Sequence, residues 1–364
     1  MKSLLVVLLF AVSVPVAISA PASTPSVTGS ARNDAPAIRE KIRQAVEAGQ
    51  GVVHLPAGEY LLQESVELPS SLELRGEGIA ATRLLVPAGA AFDAIVLRNV
   101  EHTAIRDLSL HSQSEPYTPR LGGGIVVEGD CRYLRFENVA VYGFRSGFSF
   151  GREEGSRISR SLLRRCHAEK ASFFGFEFNN IKVLALDHCY AFRNRLDGIK
   201  FRRHVVDVTV RGGESSYNGA ADPAVNGNGI DGYAGADSVA VYDMVAEGNN
   251  GSGFYFKTGP LTLKGFGKVQ NLFFSGVRAR GNRGSGIDIN RSGGDTIKKG
   301  ETELPPLVSH VTIVGGVFEE NQASGIYLRA RDVTVMGAMI RRNRQNGITV
   351  SSSWNVNIIA PLIS

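Results

Sequence analysis

A four-residue pattern, glycine-apolar-any-apolar, returns along most of this chain and constrains its fold more than any other feature. It stands at Gly124–Val127, Gly147–Phe150, Gly175–Phe178, Gly198–Phe201, Gly253–Phe256, Gly286–Ile289, Gly325–Leu328 and Gly347–Val350, with Gly229–Gly232 a variant. The glycines of successive copies lie 23, 28, 23, 31, 24, 33, 39 and 22 positions apart. A floor of 22 to 24 with occasional additions is what one coil of a solenoid plus loop insertions produces.

A second register runs beside the first. Asn194, Asn249, Asn282, Asn321 and Asn343 each precede a repeat glycine by four residues. Stacked at one turn, their amides satisfy backbone groups that a coil would otherwise strand. Between the two registers lie alternating segments such as Val206–Val210, Val239–Val241, Val311–Val314 and Val333–Val335. Alternation with period two sends apolar side chains inward and the others outward. The spacing of leucine-rich repeats is absent, and a β-propeller needs longer four-stranded units. The expected fold is all-β, a single-stranded right-handed parallel β-helix over 23–364. Asn33, Asp34, Ala35 and Pro36 predict a helical cap over about 34–48 that covers the open end of the stack.

The opening of this domain carries a more specific likeness. Asn33-Asp34, the helix, Val52-Val53-His54-Leu55-Pro56-Ala57-Gly58-Glu59-Tyr60 and then Leu68 to Gly78 (LPSSLELRGEG) resemble the start of pectate-lyase-like β-helix proteins. That superfamily includes secreted polysaccharide lyases, mannuronan C5-epimerases and phage tailspike enzymes. The resemblance spans nearly the whole mature chain and implies fold rather than reaction.

Residues 1–22 read as a signal peptide: Lys2, an apolar run from Leu4 to Val16, and small residues Ala17, Ala20 and Ala22 around a cut after Ala20 or Ala22. A secreted or periplasmic location is expected. No stretch is long enough to span a bilayer comfortably. The three cysteines, Cys131, Cys166 and Cys189, are too few for a disulfide scaffold. Cys166 and Cys189 take equivalent places in successive coils and read as stacked core thiols. A net charge of +5 favours an acidic polysaccharide such as a uronate polymer as partner, with neither nucleic acid nor membrane expected.

In each repeat the two apolar residues point inward, so the residue between them and the one two further on point outward. Stacking predicts two exposed columns. One reads Val126, Ser149, Glu177, Lys200, Asp231, Tyr255, Asp288, Tyr327, Thr349; the other Glu128, Gly151, Asn179, Arg202, Tyr233, Lys257, Asn290, Arg329, Ser351. Rungs lie about 4.8 Å apart, so one sugar unit covers roughly one rung. Insertions at 219–228, 260–268 and 291–307 flank adjacent rungs and are expected to wall a groove centred on Asp231, Tyr255, Lys257 and Asp288.

The first expectation for the chemistry is a lyase that removes the C5 proton of a uronate and expels O4 by β-elimination. Lys257, Lys200, Tyr255 or His204 is the candidate base, and Arg202 and Asn290 are placed to meet the C6 carboxylate. Calcium held by Asp231 with Asp237 or Asp222 is an alternative way to neutralise that carboxylate. Glu177, Tyr233, Tyr327 and Arg329 complete the expected sugar contacts. C5 epimerisation shares the first step. Asp231 resembles the catalytic aspartate of mannuronan C5-epimerases, yet Gly232-Tyr233-Ala234 follows it in place of their Asp-Pro-His-Glu signature. Asp231-Gly232-Tyr233-Ala234-Gly235 followed by Gly253 to Lys257 is similar to calcium-dependent lyases of the ninth polysaccharide-lyase family, with the lysine one rung late. Hydrolysis is a further alternative: Asp231 and Asp288, two rungs or about 9.6 Å apart, or Glu177 and Asp231, serve as a carboxylate pair. A non-catalytic glycan-binding protein is the reading from another class.

Overall fold

Each coil lays down three strands, and each strand pairs in parallel with its counterpart in the next coil. One coil holds Ile199–Phe201, Val205–Arg211 and Glu214–Ser216; the next holds Ile230–Tyr233, Ala236–Tyr242 and Val245–Glu247. Ile199 pairs with Ile230, Val205 with Ala236 and Glu214 with Val245, which gives three ladders round the axis. The glycine-repeat strands build a ladder of eleven, and the other two ladders join through the longer strands into one sheet of 23. This right-handed parallel β-helix is a computed structural model that describes residues 32–259, 268–291 and 307–364. The expected signal peptide and most of the insertions at 260–268 and 291–307 lie outside the described residues.

Sharp corners let a coil close in so few residues. His204 and Ala234, Gly212 and Asp243, and Tyr217 and Gly248 occupy matching corners of the two coils, all with φ between 51° and 60°. Such left-handed residues turn the chain without a loop, a strain that the stacked hydrogen bonds on either side sustain. The repeat glycine has a different reason. A Cβ on Gly198 would lie 1.9 Å from Ser215 Oγ and 2.6 Å from Asn218 Nδ2, and on Gly253 it would lie 2.9 Å from the Ala279 Cβ. The coil is so narrow here that the glycine backbone touches the opposite wall.

The interior is apolar and stacked by rung. Phe148 lies on Phe176 with ring centroids 4.8 Å apart, and Phe150, Phe178 and Phe201 continue a parallel file. Cys131, Cys166 and Cys189 are buried and free. The asparagine ladder forms as expected and gains a sixth member, Asn218. Each amide donates along the stack, from Asn194 to Asn218, Asn249, Asn282, Asn321 and Asn343, at 2.9–3.0 Å. Asn218 escapes the four-residue spacing because the 219–228 insertion separates it from its glycine.

Helix α1 (Ala35–Glu47) closes the first coil with Ala35, Ile38, Ile42 and Ala45 buried. Its start departs from simple capping. Asn33 Oδ1 accepts the Ala35 N–H, whereas the Asp34 carboxylate accepts from Leu61 N at 2.7 Å and so ties the helix to the coil. Among the described residues no helix is long and apolar enough to cross a membrane.

Candidate functional site

The first column assembles in the expected order. Ser149 pairs with Glu177, Glu177 with Lys200, Lys200 with Asp231, Asp231 with Tyr255, Tyr255 with Asp288 and Asp288 with Tyr327. In the second column Tyr233 pairs with Lys257 and Lys257 with Asn290. A cavity of about 600 Å³ opens where Lys200, Asp231, Tyr255, Lys257 and Asp288 line its floor. Pro223, Asn226 and Asn228 of the 219–228 insertion form one wall, as expected, and Phe174 and Leu196 border it too.

Asp197, which the column reading missed, is central to this floor. Lys200 Nζ lies 3.1 Å from Asp197 and 2.7 Å from Asp231. The other Asp197 oxygen accepts from Asn228 N and Asn228 Nδ2, and Asn228 Oδ1 in turn accepts from Ser252 N. Asp197 thus belongs to a third polar column just before the repeat glycine, with Ser146, Asn228, Ser252, Ser285 and Ser324 at equivalent places. A small polar residue recurring one position ahead of the glycine was the available signal.

These contacts sort the candidate bases. Burial alone would depress Lys200, but Asp197 and Asp231 outweigh it and hold the ammonium above its ordinary pKa. Lys200 is therefore a structural cation and is set aside as a base. Lys257 is the reverse case. Burial lowers its pKa, its Nζ sits 4.6 Å from the centre of the Tyr255 ring and 5.4 Å from that of Tyr233, and among the described residues it has no ion-pair partner. Burial pushes the Tyr255 phenol well above its ordinary pKa, helped by Asp288 and Asp231, so it stays protonated at neutral pH. Burial also raises Asp231 against the pull of Lys200, and the Asp231 Oδ1 is buried without a hydrogen bond. Asp288 is raised to about 6, again chiefly by burial.

Other nominated residues are placed differently. His204 is an exposed corner residue outside the cavity lining, because its left-handed turn directs the chain from one ladder to the next. Glu177 is 3% exposed, accepts from Ser146 and Ser149, and lies between Arg145 and Arg202, so it does not face the cavity. The calcium set does not come together. Asp231 faces Lys200, Asp237 lies on a different ladder accepting from Gln270 and Asn271, and Asp222 is held by Arg195. Among the described residues no group of three or more acidic, histidine or cysteine side chains is arranged to hold a metal ion. The donors do not fit calcium. Tyr327 and Arg329 continue the columns beyond the cavity, where Arg329 donates to Asn290 Oδ1 and Ser351 Oγ.

No family model matches the sequence, and no curated protein matches it. Solved structures do. The mannuronan C-5 epimerase AlgE4 A-module of Azotobacter vinelandii superposes with a TM-score of 0.65 at 16% identity, over 91% of this chain and 93% of that one. The Agl-KA catalytic domain gives 0.59 at 14%, over 95% and 70%. A GH87 alpha-1,3-glucanase catalytic domain in complex with nigerose gives 0.57 at 12%, over 93% and 70%. At such identities likeness establishes architecture alone. The chain is a right-handed parallel β-helix, the architecture that these solved structures share with it.

Proposed function

We propose that this protein is a polysaccharide-active enzyme that removes the C5 proton of a uronate unit, with β-elimination as the outcome. The observation that carries the proposal is Lys257: an ammonium drawn out of water onto two tyrosine rings, its pKa lowered by burial, with no described carboxylate claiming it. Burial loosens a lysine's hold on its proton, which suits it to the role of base. Lys257 takes the C5 proton, and the C5–H electron pair forms the C4–C5 double bond as the C4–O4 bond breaks. Tyr255, protonated at neutral pH, gives its proton to the departing O4. Asn290, next to Lys257 in the second column and backed by Arg329, meets the C6 carboxylate, whereas Arg202 is three rungs from Asn290 and engaged by Glu177. Export of the protein, resting on the apolar run from Leu4 to Val16, is part of the same proposal.

The neighbours support a polysaccharide as substrate, since one is a mannuronan epimerase and another was solved with nigerose. Epimerisation uses the same Lys257 step and differs in keeping O4 attached. A hydrolytic reading has one observation in its favour: Asp288, with its pKa near 6, stands two rungs from Asp231, a separation of about 9.6 Å that borders on the range for inverting hydrolases.

The deciding experiment exposes the protein to alginate, pectate, hyaluronate and neutral glycans, with and without chelator, and reads ultraviolet absorbance, reducing ends and uronate stereochemistry. Absorbing ends from a uronate polymer, lost in Lys257→Met by at least ~100-fold, are expected. Turnover of neutral glycans alone, or a fully active Lys257→Met, defeats the proposal.

A further inference from the structure

The two outward columns are not open along their whole length. Val126, Ser149 and Glu177 are 0–3% exposed, and Glu128 and Asn179 no more than 5%. From Lys200 and Arg202 onward both columns become partly exposed, except for Asp231 at the base of the cavity. The change is abrupt, between one rung and the next, and side chains crossing the ladder produce it.

Arg152 leaves the turn after Phe148–Phe150 at one edge of the ladder. Its Nε lies 3.5 Å from Glu128 Oε1, and it donates to Asp93 Oδ2 at 3.0 Å. Asp93 stands at the opposite edge, where its other oxygen accepts from Gly123 N. The guanidinium therefore spans the face. Glu128 is held further by Glu153 N and Ser156 Oγ. Nearer the cavity, Arg145 from one edge and Arg202 from the other converge on Glu177, at 4.0 and 3.5 Å, and Arg145 rests on the Phe173 ring.

We infer that this barrier closes one end of the cleft, so that the enzyme works from a chain end and releases short products instead of cutting within the polymer. The inference rests on the functional reading above. Only the Lys200 and Asp231 rungs lie between the barrier and the rung of Tyr255 and Lys257, room for about two sugar units at one per rung. A polymer laid along the ladder meets paired ions there, first Arg145 and Arg202 about the buried Glu177 and then Arg152, a partly exposed guanidinium held between Glu128 and Asp93. Parting such charge-assisted contacts is costly.

The test uses the full chain and high-molecular-weight alginate, pectate or hyaluronate, taking whichever the panel shows to be turned over. Absorbance is expected to rise while viscosity persists, with mono- and disaccharides as the first products. An early fall in viscosity with a ladder of long fragments overturns the inference while leaving the function standing. The double variant Arg145→Ala, Arg152→Ala is expected to lose several-fold more viscosity per bond cut; a folded variant with the wild-type pattern counts against the barrier. Should that variant not fold, wild-type protein acting on oligosaccharides labelled at one end decides the matter. Label confined to one-end short products supports the inference, and label in mid-length fragments refutes it. Turnover without cleavage refutes it when the inverted uronates are spread through the chain, and no turnover of any polymer removes this inference and the functional reading together.

Discussion

Replacing Asp288 with asparagine is expected to stabilise the protein in mildly alkaline solution and to leave it unchanged in acid. The Asp288 carboxyl is raised from 3.8 to about 6, chiefly by burial, with Asp231 adding to the rise and Asn290, Lys257 and Arg329 opposing it. A carboxyl whose folded pKa lies above its unfolded value keeps a proton in the folded chain that the unfolded chain has already released. Stability therefore declines as pH rises from 3.8 to about 6 and stays lower beyond that window. A rise from 3.8 to about 6 corresponds to ~3 kcal/mol. The cleft is open to water, and screening there brings the expected effect to about 1–2 kcal/mol. Asparagine still offers an oxygen to Asn290 Nδ2, which donates to Asp288 at 3.4 Å, and carries no charge to desolvate. Urea unfolding of both proteins at about pH 8 and about pH 4 checks this, reading the midpoint at constant slope. A gain of similar size at both pH values, or a variant less stable at the higher one, refutes burial as the cause of the raised pKa.

Two further outcomes test the scaffold. Asn249→Ala removes two hydrogen bonds accepted from Asn218 and two donated to Ser215 O and Asn282, so a loss of about 2–5 kcal/mol is expected; an unchanged urea midpoint contradicts the ladder's role. Gly198→Ala forces a methyl to within 1.9 Å of Ser215 Oγ, for an expected loss of ~1–3 kcal/mol. The control Gly51→Ala meets only Ser71 O at 3.7 Å and is expected to be nearly neutral; equal losses at the two sites count against close approach as the reason for the repeat glycine.

Periodicity is a local property of a chain, and for that reason the sequence by itself determined the coil, the two outward columns and most of the asparagine ladder. Once Ile199, Ile230 and Phe254 point inward, Lys200, Asp231 and Tyr255 must share the outer wall, whatever else the chain does. Exposure and charge state are long-range properties, and only the tertiary structure decided those. Glu177 holds a column position like that of Lys200, yet Arg145 and Arg202 close over it from distant points of the chain. Lys200 and Lys257 are the same residue type in neighbouring columns, but the first is pinned by Asp197 and Asp231 and the second is left on two rings. Asp237 is six residues from Asp231 and still turns away from it, because a corner moves the chain onto the next ladder in between. Spacing tells which side chains share a face; which of them meet water, and in what protonation state, depends on what crosses that face.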